Sequence, residues 1–282
     1  MPPDTRPPRL IETGMIPVDY HLHSTFSADG EAAVLEMCEA ALARGLREVC
    51  FTEHVDFDRS DPAYGHLDWA AYTASVAEAR RRCAGRLVIR QGVEFDFRRA
   101  YGAEPGEFLA ALDLDFAIGS VHSAAGCRIH RLWKDRPPGL DLRTLLAEYF
   151  AETEALVASG WCQTIGHFDY IYKQLPDLAA GYRDAWYWRS VERILRACIA
   201  GGVAVELNTH HVLDRGAAMA ADVEILRRYR ALGGRLIAVG SDAHRPGDVA
   251  HAFPEAERDL REAGFDAVTG YACGRPYDVA LA

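Results

Sequence analysis

The hydrophobic pattern of this chain changes period repeatedly. Short runs that are apolar throughout alternate with longer segments whose apolar residues recur three and four apart. "GMIPVDYH" reads as a short strand, and "EAAVLEMCEAALARG" as a helix that stops at Gly45, a suitable C-terminal cap. "LREVCFTEH" predicts a second strand, followed by the helix "DWAAYTASVAEARRRCAG". "RLVIRQGVEFDF" and "LDFAIGSVHS" predict strands three and four, and "LRTLLAEYFAETEALVASG" a long helix ending at Gly160. Strand five is "WCQTIGHFDYI", followed by the helix "AWYWRSVERILRACIAGG". Strand six is "VAVELNTH", followed by "DVEILRRYRALGG". Strand seven is "RLIAVGSDAH", followed by "DVAHAFPEAERDLREAG", with "FDAVTGYACGRP" as a last short strand and tail.

Strands apolar on both faces, each followed by a helix, imply a parallel sheet covered by helices. Seven or eight such units predict an α/β chain closed, or nearly closed, into a barrel. No break in composition divides it. The expectation is a flexible proline-rich lead-in over 1–14 and a single catalytic domain over 15–282. The longer connections at 56–69, 97–106, 124–140 and 171–186 fall where loops would cover an active face. Trp186 and Trp188 read as helix residues packing on the barrel.

Composition narrows the function. A net charge of −10 over 282 residues disfavours a nucleic-acid backbone as partner, which calls for a basic face. A small phosphorylated substrate held by cations stays compatible with it. No apolar run reaches the roughly 18–20 residues of a membrane span, and the N-terminus lacks the apolar core of a signal peptide. The seven cysteines form no C-x-x-C pair and mostly sit in apolar segments, as buried reduced thiols of a cytoplasmic protein would. Oligomeric state leaves no mark in the sequence.

The chemistry collects at strand ends. His21 and His23 close the first predicted strand, His54 the second, Glu94 the third, His122 the fourth, His167 the fifth, and Asp242 with His244 the seventh. In "HLH" and "DAH" the candidates are two apart, so their side chains leave the strand on the same side. Barrel sites are built at these ends. Asp29, six residues beyond His23, is a ninth candidate, with a helix N-cap near Glu31 as its other reading. Nine candidates exceed one tetrahedral zinc and suit three ions if a carboxylate bridges. Imidazole and carboxylate without thiolate point to zinc, manganese or iron.

"HLHSTFSADG", "TEH", "GVEFD", "GSVHS", "GHFD" and "GSDAH", in this order, resemble the polymerase and histidinol phosphatase (PHP) family. The "E-x-N-T … G-S-D-A-H-x-P" ending, Glu206 to Pro246, is most like its stand-alone histidinol-phosphatase branch. The resemblance implies a distorted (β/α)7 TIM-like barrel with a trinuclear site. It groups His21, His23, Glu94 and Asp242 on one ion, Asp29, His54 and His244 on a second, and Glu94, His122 and His167 on a third, Glu94 bridging. It also implies phosphomonoester hydrolysis, of histidinol phosphate in histidine biosynthesis, by in-line attack of metal-held hydroxide on phosphorus. Glu94, Asp242, His244 and Asp29 would carry the chemistry.

The loop after strand four, "SAAGCRIHRLWKD", departs from the phosphatase pattern, which leaves the substrate open. Arg128, Lys134 and Arg245 are candidates to grip phosphate, and Asn208 is placed either to orient the site or to cap its strand. Two other classes compete: an amidohydrolase-like barrel, which a strand four ending in His122 without lysine disfavours, and a phosphodiesterase or nucleotidase of the same family. A metal-stabilised module without activity would be expected to have lost ligands.

Overall fold

The structure is a computed structural model and describes residues 16–61, 63–132, 136–175, 183–210 and 223–281. The expected lead-in over 1–14 and Lys134 lie outside the described residues. Seven parallel strands form the main sheet in the order β1 (Val18–Leu22), β2 (Glu48–Val55), β3 (Val88–Asp96), β4 (Phe116–Ser120), β7 (Thr164–Ile165), β8 (Ala204–Asn208) and β9 (Ile237–Gly240). Every ladder in this sheet is parallel, as the uninterrupted apolar runs predict. The first and last strands come together without a ladder. Asp242 N donates to His21 O at 2.8 Å and His23 N to Ala243 O at 2.9 Å, with a bridge between Leu22 and Ala243. Buried Asp19 adds side-chain closure, accepting from Ser241 Oγ at 2.6 Å and Ser241 N at 2.9 Å. The result is a nearly closed (β/α)7 barrel.

Helices cover its outside: α1 (Val34–Ala43), α2 (Trp69–Arg82), α3 (Glu104–Ala110), α4 (Leu142–Ser159), α5 (Tyr170–Gln174), α6 (Ala185–Gly201), α7 (Val223–Ala231) and α8 (Phe253–Glu262). Gly160 and Gly202 take left-handed caps at the ends of α4 and α6, which a residue without Cβ does at least cost. Asp141 starts α4 by accepting from Arg143 N and Thr144 N at 3.2 and 3.0 Å. Asp141→Ala should therefore lower the unfolding free energy by about 1 kcal/mol and leave catalysis unchanged, which urea denaturation beside a turnover assay would check. The two tryptophans of α6 pack on neighbouring helices: Trp186 lies 5.9 Å from the Phe150 ring, and the Arg228 guanidinium sits 4.0 Å over Trp188.

Several elements differ from the sequence reading. Strand five is only two residues long, because beyond Ile165 the chain turns at His167 and enters α5. The tail after Cys273 is a full strand, β11 (Arg275–Ala280), antiparallel to β10 (Ala267–Ala272). This hairpin meets the buried Glu48, whose carboxylate accepts from Tyr20, Tyr277 and Arg90, at the barrel end opposite the site. A second small hairpin, β5 (Ser123–Ala124) and β6 (Cys127–Arg128), follows β4. Five cysteines are buried, Cys127 is half-buried and Cys273 exposed. Among the described residues no helix is long and apolar enough to cross a membrane.

Candidate metal centre

All nine candidates meet at the C-terminal ends of the strands, around one cleft of about 560 Å³. The register explains the convergence. In β1, alternate side chains send His21 and His23 to the same side, and β2 and β3 pair His54 with Glu94 directly. Glu94 stands in the middle, 1 % exposed. Its Oε2 is 3.2 Å from His21 Nε2, 3.6 Å from His23 Nε2 and 3.0 Å from His54 Nδ1. Its Oε1 is 3.0 Å from His167 Nε2 and 3.6 Å from His122 Nε2. Asp242 Oδ1 faces the other side of the pair, 3.5 Å from His21 Nε2 and 3.3 Å from His23 Nε2.

Asp29 does not cap a helix. The cap of α1 is Ala33, whose N–H goes to Glu36 at 2.8 Å, while Asp29 reaches across the cleft to His54 Nε2 at 3.6 Å and His244 Nε2 at 3.4 Å. Two of the nine stand in left-handed backbone, His167 at φ 23° and Asp242 at φ 54°. Such strain at a non-glycine residue persists only where neighbours hold it. Glu206 accepts from His167 N at 2.5 Å, and His21 O accepts from Asp242 N.

The donor atoms fall into three compact groups, each within 4.8 Å: His21, His23 and Glu94; His23, His54 and His244; Glu94, His122 and His167. The fit to metal is physical. His21 Nε2, His23 Nε2 and His244 Nε2 are buried and make no hydrogen bond, yet all three face carboxylate oxygens. Burial works against charge on His21, but Asp242, Glu206 and Glu94 outweigh it and raise its pKa well above the usual imidazole value. Burial likewise opposes ionisation of Glu94 and Asp242, and the surrounding imidazoles override it, holding both well below the carboxylate range. His122 is pushed up to about 10, Asp96 and Glu94 overcoming its burial. Carboxylates that draw cations this strongly, beside bare imidazole nitrogens and without thiolate, form a donor set for divalent transition metals.

Partners outside the nine orient them. Glu206 Oε1 accepts from His21 Nδ1 at 2.5 Å, Ser120 Oγ donates to Glu94 Oε1 at 2.6 Å, and Asp96 Oδ1 lies 3.4 Å from His122 Nδ1. Asn208 Nδ2 donates to Asp242 Oδ2 at 3.1 Å, which gives that residue an orienting role at the site. Glu206 and Asp96 were not picked out from the sequence. The signal was available, since Glu206 and Asn208 share a strand face, as do Glu94 and Asp96.

The phosphate candidates part company. Arg128 lines the cleft, held by Asp58 at 3.0 Å and by Asp61. Arg245 does not line it. Its guanidinium turns to Asp248 at 2.8 Å and is largely exposed, because the chain leaves His244 away from the cleft in a short 3-10 turn (Pro246–Asp248). Arg131, Tyr170, Asp56 and His210 also line the cleft, and none was singled out from the sequence.

Three comparisons bear on this arrangement. A protein of Deinococcus radiodurans named "Probable histidinol-phosphatase" is 30% identical over 261 residues, covering 89% of this chain and 95% of that one. The histidinol-phosphatase of Lactococcus lactis is 26% identical over 258 residues, covering 88% and 91%. The solved structure of a Lactococcus lactis histidinol phosphate phosphatase with zinc, L-histidinol and phosphate superposes with a TM-score of 0.80 at 24% identity, over 93% of this chain and 99% of that one. The model of the PHP domain matches residues 19–210, which takes in His21 to His167 and ends beside the cleft-lining His210, and with it the chain belongs to the PHP domain family.

Proposed function

We propose that the chain hydrolyses L-histidinol phosphate to L-histidinol and phosphate, a step of histidine biosynthesis, with three divalent transition-metal ions in its cleft. The observation that carries this reading is the division of the ligand-competent side chains into three groups around Glu94. His21, His23, Glu94 and Asp242 would hold one ion, Asp29, His54 and His244 a second, and Glu94, His122 and His167 a third. Bound there, zinc, manganese or iron would neutralise phosphoryl charge and bring the pKa of a water toward neutrality.

The protein's own contribution is placement. Glu206, Asp96 and Asn208 fix the ring and carboxylate orientations, so little rearrangement is left for the reaction to drive. Arg131, and Arg128 in its pairing with Asp58 and Asp61, are cationic side chains that line the cleft. Asp56 and Asp96, on the wall beyond the Arg128–Asp58–Asp61 pairing, are acidic, which suits a substrate that carries an amine beyond its phosphate. A nucleotide or a sugar phosphate offers no such cation.

The test is a panel of substrates with metal-loaded protein. Histidinol phosphate is expected to exceed nucleotides, sugar phosphates and phosphodiesters in kcat/KM by about 100-fold or more. A chelator should abolish the activity, and zinc, manganese or iron should restore it. A diester turned over faster than histidinol phosphate would overturn the substrate assignment.

A further inference from the structure

The acid of the "TEH" motif has no place in the centre described so far. Glu53 is fully buried and makes no hydrogen bond to any of the nine candidates. We infer that Glu53 is a positioning residue that dictates, through Ser27, which ring nitrogen of His23 is left bare for metal. The inference rests on the metal-binding part of the proposed function and on nothing about the substrate.

The argument is a count of protons. The Glu53 carboxylate accepts from Ser24 N at 3.1 Å, Ser24 Oγ at 2.6 Å and Ser27 Oγ at 2.6 Å. A carboxylate only accepts, so the one proton of the Ser27 hydroxyl is spent on Glu53. His54 N–H, which can only donate, takes one lone pair of Ser27 Oγ at 3.0 Å. The remaining contact of that oxygen is His23 Nδ1 at 3.0 Å, and only an acceptor lone pair is left for it. His23 Nδ1 must therefore carry the proton. His23 Nε2 is then bare, and it is this nitrogen that stands 3.3 Å from Asp242 Oδ1 with no hydrogen bond of its own.

His21 reaches the same state by a shorter route, since Glu206 binds its Nδ1 directly. The two histidines of the pair thus present the same nitrogen to the cleft, one set by a carboxylate in contact and the other by a carboxylate acting through a hydroxyl. Ser27 also fixes the backbone at His54, so a single hydroxyl ties together the ends of β1 and β2. Gly30 closes this loop so tightly that a Cβ there would lie 1.8 Å from Ser24 O.

The experiment uses 15N-histidine-labelled protein loaded with zinc, with the His23 signals assigned by their loss in His23→Gln. Nitrogen–proton correlation spectra report which ring nitrogen is protonated. Wild type is expected to show His23 protonated at Nδ1. Ser27→Ala should lose that protected proton and bind zinc about 10- to 100-fold more weakly in competition with a chelator. Glu53→Gln, whose amide can offer Ser27 a proton as well as accept one, should shift both in the same direction. Ser24→Ala removes a donor from the same carboxylate but leaves the relay, and should keep the tautomer. His23 protonated at Nε2 in wild type, or zinc affinity unchanged in Ser27→Ala, would overturn the inference. Protein that behaves as expected here and yet fails to cleave histidinol phosphate would retire the substrate reading alone.

Discussion

Glu94→Ala is expected to lower kcat/KM for histidinol phosphate by about a thousand-fold or more and to release metal in the same step. The reason is its position. One carboxylate, 1 % exposed, faces five imidazoles delivered by β1, β2, β4 and the turn after β7. Two of the three donor groups contain it. Alanine would leave those rings facing one another across a space with no anion, where any cation would be poorly balanced. Glu94→Gln sharpens the test, because it keeps the volume and the contact with Ser120 but lacks the charge that lets two oxygens serve two ions. Metal analysis of replete wild-type protein should approach three ions per chain, and both variants should fall by at least one. Full metal content in Glu94→Ala would show that this residue is not a ligand, and fewer than two ions in wild type would count against a trinuclear centre.

Eight of the nine positions were legible because polar residues at the end of an apolar strand are conspicuous, and because alternation fixes which of them share a face; Asp29, in the loop beyond β1, carried no such mark. "HLH" and "DAH" carry that information in three letters each. Contacts made across the barrel were not legible in the same way. Nothing in "E-x-N-T" says that Glu206 will meet His21, since that contact depends on how β8 and β1 are placed around a closed sheet. The direction of Arg245 was not legible either: it directly follows His244, but successive residues diverge, and the turn that follows brings its guanidinium to Asp248. Strand β11, the second arm of the terminal hairpin, was missed because "RPYDVA" is mostly exposed and carries a proline at its second position, so it lacks the apolar continuity that marked the barrel strands. The two-residue strand β7 was overextended for the converse reason, apolar residues in "GHFDYI" continuing past the turn into α5.

Gly240→Ala should damage the fold and the metal centre together. Gly240 ends β9 where β9 passes β1, and a Cβ there would lie 2.2 Å from His21 Cβ, 2.9 Å from Glu206 Oε1 and 3.1 Å from His21 N. None of these atoms has room to yield. His21 Cβ and N belong to the backbone end of a buried strand residue, and the Glu206 oxygen is fixed by its 2.5 Å bond to His21 Nδ1. The overlap must therefore part β1 from β9 or tilt the His21 ring. Overpacking of this kind costs about 1–3 kcal/mol, and a displacement of about 1 Å in a positioned group can cost about 100-fold in rate. The variant should fold with a lower Tm, lose metal and lose activity together. Gly247, a few residues on, provides the comparison, since a Cβ there meets nothing within 4 Å. Gly247→Ala should stay within about 0.5 kcal/mol of wild type in stability and keep full activity. The contrast separates a general sensitivity of the loop after β9 from a specific demand that the chain approach His21 without a side chain. Wild-type metal content and turnover in Gly240→Ala would mean that the seam between the first and last strands can open without moving the imidazole, and the account of how the barrel holds His21 would have to be abandoned.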